Sequence, residues 1–140
     1  MIVNEYIKRL QPYHKVEIVE VKDYTTSAKE DLKKITLKKE EENILKVIGD
    51  KDYVILLALE GKQFDSIEFS KKLEEIFTYK SSKITFIIGG SMGVSKKVKA
   101  RANLKWSFSK LTFPHQLFRA MLLEQIYRSF KINRHEPYHK

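Results

Sequence analysis

Three of the chain's five glycines, Gly89, Gly90 and Gly93, fall within five residues, directly after the apolar run Ile84–Ile88. Glycine lets a backbone approach a ligand closely or adopt positive φ. The loop is therefore a candidate binding turn, although an ordinary strand-to-helix turn fits the same spacing. It is not a phosphate-binding fingerprint, lacking both the Lys-Ser/Thr of a P-loop and the spacing of the dinucleotide motif. Two more segments end apolar runs in the same way, Leu57–Gly61 and Phe108–Phe113. A basic cluster, Lys96, Lys97, Lys99 and Arg101, follows the glycines. It reads equally as a solvated helix face or as a contact for phosphates. His14, His115, His135 and His139 show no metal-ligand spacing with carboxylates, and neither His-Glu-x-x-His nor a calcium loop is present. No metal is expected.

The elements that must carry these segments follow from periodicity. Val3–Leu10 reads as the end of a helix stopped by Gln11-Pro12. Val16–Val21 alternates apolar and acidic residues, the pattern of a strand with one wet face. After a polar connection, Lys22–Ala28, an amphipathic surface helix runs from Lys29 to Ile48 and ends at Gly49. Tyr53–Leu59 and Ile84–Ile88 are uninterrupted apolar runs, expected of parallel strands buried on both faces. Between them Asp65-Ser66 caps a helix reaching about Tyr79. A basic helix from about Ser95 to Ala102, a strand Leu104–Phe108 and an apolar helix His115–Ile132 complete the order. Strands alternating with helices predict an α/β domain with a mainly parallel sheet, one domain over residues 1–140. In such sheets ligands bind beyond the carboxyl ends of the strands. The last helix is apolar on more than one face, so it is either central to the core or shared with a partner subunit.

Composition narrows the partners. The 140 residues carry 27 Lys and Arg against 18 Asp and Glu, a net charge of +9 that favours polyanions, nucleic acid before acidic membrane. There is no cysteine, hence no disulfide framework, thiolate metal site or thiol nucleophile. The longest apolar run is too short to span a bilayer and the opening residues have no signal-peptide pattern. A soluble, cytoplasmic protein without membrane attachment is the expectation.

Four segments in order resemble one family: Phe86–Gly93, Trp106–His115, Leu123–Ile132 and the tail Pro137-Tyr138-His139-Lys140. Together they are similar to the RlmH-type family of the SPOUT methyltransferase superfamily, from about Glu5 to the last residue. The resemblance implies an α/β fold whose C-terminal part threads a deep trefoil knot, a topology that general rules would not suggest. It implies an enzyme, an S-adenosylmethionine-dependent methyltransferase acting on N3 of a pseudouridine in 23S rRNA, working as a homodimer joined through the apolar His115–Ile132 helix.

By the same resemblance, S-adenosyl-L-methionine is held by Leu57, Gly89, Phe108, Ser109, Lys110, Leu111, Thr112 and Phe113. The tail motif Tyr138, His139 and Lys140 belongs near the acceptor base. His139 is expected to assist deprotonation or to orient the base, with Tyr138 and Arg128 positioning RNA. The alternative is a non-catalytic knotted module that binds RNA or the ribosome and has lost turnover. An enzyme for an acidic metabolite is permitted by the charge but has no motif. The family also begins with a strand and a Val-Gly-Lys turn that have no counterpart here. The expectation is an N-terminally shortened member in which Val16–Val21 loses a neighbour in the sheet.

Overall fold

A computed structural model describes residues 2–10, 15–20, 30–89 and 94–139. Helix α1 spans Ile2–Leu10 and strand β1 Lys15–Glu20; α2 covers Glu30–Val47, β2 Tyr53–Lys62 and α3 Ser66–Tyr79. Then come β3 at Lys83–Ile88, α4 at Lys96–Arg101, β4 at Leu104–Trp106 and α5 at His115–Asn133. The expected stop at Gln11-Pro12, residue Val21 and the connection Lys22–Ala28 lie outside the described residues.

The four strands form one parallel sheet in the order β1-β3-β2-β4. The two uninterrupted apolar runs are the two central strands, because only there are both faces covered. Val54, Ile55, Ile84, Phe86 and Ile87 are completely buried. One face packs Ile55, Phe86 and Trp106 against Phe69 and Leu73 of α3 and Leu122 and Ile126 of α5. The other packs Val54, Leu56 and Ile87 against Ile44 of α2 and Val98 of α4. Each fully buried side chain of this size contributes about 1.5–3 kcal/mol. The product is a three-layer arrangement whose strand ends all open on the same side.

Two expectations change, at the ends of β2 and β4. β2 continues past Leu59 to Lys62, and its register with β4 shifts between Leu57 and Lys62, so that Leu57 and Lys62 both pair with Trp106. Gly61 makes this possible: a Cβ there would lie 2.7 Å from backbone atoms of Lys105 and Trp106. β4 in turn ends at Trp106, because the Ser107 N–H is drawn to the Lys62 carbonyl at 2.9 Å. β1 pairs along its whole length with β3, Lys15↔Lys83 through Glu20↔Ile88, and among the described strands it stands at the edge of the sheet with no neighbour on its other side.

Of the two alternatives for the last helix, α5 takes the first, a place in the core. Leu122, Leu123, Ile126, Tyr127 and Phe130 are all buried within the chain, against the sheet, α3 and α1. Most of the apolar surface that suggested a shared helix is therefore core. Leu117, in its first turn, stays half exposed. No helix among the described residues is long and apolar enough to cross a membrane.

A candidate cofactor cavity and a separate tail cluster

Beyond the carboxyl ends of β2, β3 and β4 lies a cavity of about 510 Å³, within the range that holds cofactor-sized ligands. Seven of the eight expected cofactor residues line it: Leu57, Gly89, Phe108, Ser109, Leu111, Thr112 and Phe113. Lys110 does not; it is exposed on the same loop. One wall is an aromatic column built from separate elements. Phe69 of α3 stacks on Trp106 at 3.7 Å, Trp106 meets Phe108 edge-on at 4.6 Å, and Phe108 stacks on Phe118 of α5 at 4.8 Å. Such a column fixes the start of the 108–113 loop by packing. The loop is further shaped by its own serines: Ser107 Oγ donates to the Ser109 carbonyl at 3.2 Å, and the Leu111 N–H donates to Ser109 Oγ at 3.1 Å.

Gly89 forms part of the floor. A Cβ built there would meet only Val94 Cγ1, at 3.5 Å, and its backbone is not in the left-handed region. Packing therefore does not demand a glycine at this position. What its bare Cα does is leave the cavity open. Gly90, Ser91, Met92 and Gly93 lie outside the described residues. A larger, polar recess of about 680 Å³ sits at the opposite end of the sheet, beside Asp52, Tyr53 and Arg101. It is at the amino ends of the strands, where α/β sheets do not place their ligand sites.

Arg128, Tyr138 and His139 line neither space. They form a separate cluster on the outer side of α5, against α1. His135 takes φ 55°, the left-handed conformation that ends helices, and turns the tail back along α5. Glu124 is the cluster's anchor. Its Oε1 lies 2.6 Å from Arg128 Nη2 and 2.8 Å from Arg128 Nε, and accepts a hydrogen bond from the Tyr138 hydroxyl at 3.3 Å. Arg128 also lies over the Tyr138 ring, 4.9 Å from its centre, and reaches His139 Nδ1 at 3.0 Å. The Tyr138 hydroxyl meets Tyr6 of α1 at 3.4 Å, and its ring packs edge-on against Tyr127 at 5.1 Å. Burial, the Tyr6 hydrogen bond and the Glu124 charge push the Tyr138 phenol well above its usual range. Tyr138 is thus a fixed donor, not a base. Lys140 and the side chain of His115 lie outside the described residues.

A family model described as "Predicted SPOUT methyltransferase" matches residues 1–139. The chain belongs to that family. It is 54% identical over 140 residues to ribosomal RNA large subunit methyltransferase H of Clostridium acetobutylicum, covering 99% of this chain and 88% of the relative. The protein of the same name from Streptococcus thermophilus is equally similar, 54% over 140 residues with the same coverage. That from Bacillus thuringiensis subsp. konkukian is 51% identical over 142 residues, again 99% and 88% of the two chains.

For a SPOUT methyltransferase the cavity's lining has a consistent chemistry. The walls are apolar and aromatic, the polar groups are mostly main-chain and hydroxyl, and Glu60 and Lys99 are the charged residues among them. A nucleoside with a sulfonium and an amino-acid end fits such a lining: rings against Phe and Trp, polar atoms to the backbone, charge to the rim. Trp106, Ser107 and Phe118 also line it and are not among the expected residues, while Glu60 falls within the candidate segment Leu57–Gly61 without being singled out. The signal for Glu60 was available in the Glu60-Gly61-Lys62 break; that for Phe118 was hidden, because a helical aromatic reads as core. The expectation that the chain has no Gly-x-Ser-x-Gly elbow is wrong, because Gly89, Ser91 and Gly93 have that spacing. Ser91 lies outside the described residues. Glu124 and His139, which follow it in the chain, each bond to Arg128.

Proposed function

We propose that this SPOUT family member, one domain over residues 1–140, transfers a methyl group from S-adenosyl-L-methionine to N3 of a pseudouridine in 23S rRNA. The observation that carries the reading is the cavity at the carboxyl ends of the parallel strands, lined by Leu57, Gly89 and the 108–113 loop. The names of relatives sharing about half their residues with this chain support an rRNA substrate. The trefoil threading implied by the family would run through residues 84–114, of which 90–93 are not described.

When bound, the cofactor supplies an electrophilic methyl on a sulfonium. The chain's part is positioning and electrostatics. The aromatic column holds the loop, Gly89 leaves room for the ligand's backbone contacts, and the cavity wall excludes water from the reacting side. The pseudouridine N3–H proton must leave to solvent water as the methyl arrives, and a hydrogen-bond donor at the tail stabilises the negative charge this leaves on the base.

Tail and cavity share no lining residue within one chain, so the reading requires a homodimer in which a second copy brings its tail to the cavity. The exposed leucines Leu59, Leu111 and Leu117 suit that contact, two of them at the cavity and one at the start of α5. Calorimetry with S-adenosylmethionine and mass spectrometry of rRNA from a deletion strain test the proposal. Binding together with loss of one methylated pseudouridine is expected; absence of binding would remove it. Binding with an unchanged methylation map would leave a knotted RNA-binding module instead.

A further inference from the structure

The chain's positive charge is not spread along it. Between Ile76 and Leu123 there is no Asp or Glu, while nine Lys and Arg occur there; removing those nine leaves 18 basic and 18 acidic residues. All of the net charge of +9 thus belongs to the segment that builds the cavity.

The structure sorts these nine by what they touch. Lys83 is neutralised by Glu17 at 2.8 Å and Asp52 at 3.3 Å. Arg101 is bound to the carbonyls of Gly49 and Asp52 at 3.0 and 2.8 Å. Arg119 lies 3.5 Å from Glu20, and Lys80 borders the polar recess at the opposite end of the sheet. Those four are structural or remote. Among the described residues Lys96, Lys97, Lys99, Lys105 and Lys110 have no ion pair.

Three of the five stand together on α4. Lys96, Lys97 and Lys99 are exposed, Val98 between them is fully buried against the sheet, and Lys99 lines the cavity. Lys105 of β4 alternates with Trp106, so it faces the α2 and α4 side of the sheet while Trp106 faces α3 and α5. The nearest acidic run is on α2, and Glu41 and Glu42 make no ion pair with these lysines. Four ammonium groups on one face beside a ligand cavity form a local positive field with no ion-pair partner among the described residues. Phosphates crossing that face would release counterions and gain point-charge contacts without any base being read.

We infer that the α4 face, with Lys96 and Lys97 at its centre, is the seat of the rRNA sugar-phosphate backbone flanking the target nucleotide. The inference rests on the proposed function. It adds a direction of approach: RNA over the α4 side, leaving the Leu111 and Leu117 side for the second subunit. Lys96 and Lys97 hold the strand's register and do not touch the methyl donor.

The test is a salt titration of binding to large ribosomal subunits from a deletion strain, with the full chain, K96Q/K97Q and a control, K71Q/K80Q. The control removes the same charge from exposed positions on α3 and at its C-cap, across the sheet. K96Q/K97Q should lower the slope of log affinity against log salt by about two and weaken binding about tenfold or more near 0.1 M salt. It should raise KM for the subunit with kcat and S-adenosylmethionine affinity unchanged. The control should change none of these. Equal slopes for K96Q/K97Q and wild type, or equal losses in both variants, overturn the α4 assignment while leaving the methyltransferase reading intact. A wild type that binds phosphatidylglycerol vesicles but neither binds nor methylates the subunit overturns both.

Discussion

Arg128 Nη1 lies 3.0 Å from His139 Nδ1, and because a guanidinium only donates, the imidazole nitrogen facing it must be the acceptor. His139 is then neutral in this arrangement with its proton on Nε2, so the edge it turns outward is an N–H. A donor of that kind orients a pyrimidine carbonyl or stabilises charge developing on the base; it does not take a proton. Of the two roles the sequence left open for His139, orientation is the one this geometry favours. His139→Gln, which can place an amide N–H near the same point, should retain activity within about tenfold of wild type. His139→Ala should lose about ten- to a hundredfold in kcat, the scale of one well-placed hydrogen bond. Single-turnover methylation assays on the two variants decide it: equal losses would mean that His139 is a base after all.

The two informative glycines should fail in opposite ways. At Gly61 an added Cβ would sit 2.7 Å from main-chain atoms of Lys105 and Trp106, which cannot move without breaking the β2–β4 pairing. Gly61→Ala should therefore cost about 1–3 kcal/mol of stability, in the manner of overpacking. At Gly89 the same methyl meets only Val94 at 3.5 Å. Gly89→Ala should leave urea unfolding within about 0.5 kcal/mol of wild type. Because Gly89 lines the cavity, calorimetry should nonetheless show S-adenosylmethionine binding weakened about tenfold. Loss of stability in Gly89→Ala, or tolerance of Gly61→Ala, would reverse the assignment of the two positions.

Leu117 is half exposed near the start of a helix whose other large apolar side chains are mostly buried. A charge there hardly touches the core but would lie in the proposed subunit contact. Leu117→Glu should keep the wild-type circular dichroism spectrum and unfolding midpoint while light scattering shows a monomer. Methylation should fall with it, since tail and cavity then belong to chains that no longer meet. A monomeric wild type would refute the dimer directly.

Much of this was legible from residue patterns because the relevant physics is local. Uninterrupted apolar runs at Tyr53–Leu59 and Ile84–Ile88 could only be central strands, and Asp65 with Glu68 closes a capping box, Glu68 N to Asp65 Oδ1 at 2.7 Å. The cavity residues were found through likeness to a family, since Leu57 and Phe113 carry no chemistry that would mark them out. What stayed hidden depends on groups distant in sequence. The β2 extension is set by Gly61 against Trp106, and the clustering of unpaired lysines appears only once Lys83, Arg101 and Arg119 are seen to be bound elsewhere. Helix α5 is apolar on more than one face, and only the packing of α1, α3 and the sheet around it decides for the core over a shared interface.

The amino end of the sheet offers a prediction in which pH gives the sign. Asp52 is pushed up by burial, but the Gly49 N–H at 2.9 Å and the Lys83 ammonium at 3.3 Å outweigh that and hold its carboxyl below the usual range. Lys83 is raised, first by its hydrogen bond to Glu17, with burial opposing and Asp52 adding to it. A lowered carboxyl stabilises the fold above its unfolded pKa of about 3.9 and loses that contribution as pH falls through the folded value. A raised ammonium stabilises below its unfolded pKa of about 10.4 and loses the contribution as pH rises through its folded value. The triad therefore contributes fully between about pH 5 and 10. Asp52→Asn should cost about 1 kcal/mol at pH 7, discounted for the partial exposure of Lys83 and Glu17. The difference from wild type should shrink towards zero near pH 3, where the wild-type carboxyl is itself becoming protonated. Urea unfolding of both proteins at pH 3, 7 and 9 measures this, and a cost that is the same at all three would mean that Asp52 acts through its loop hydrogen bond and not through its charge.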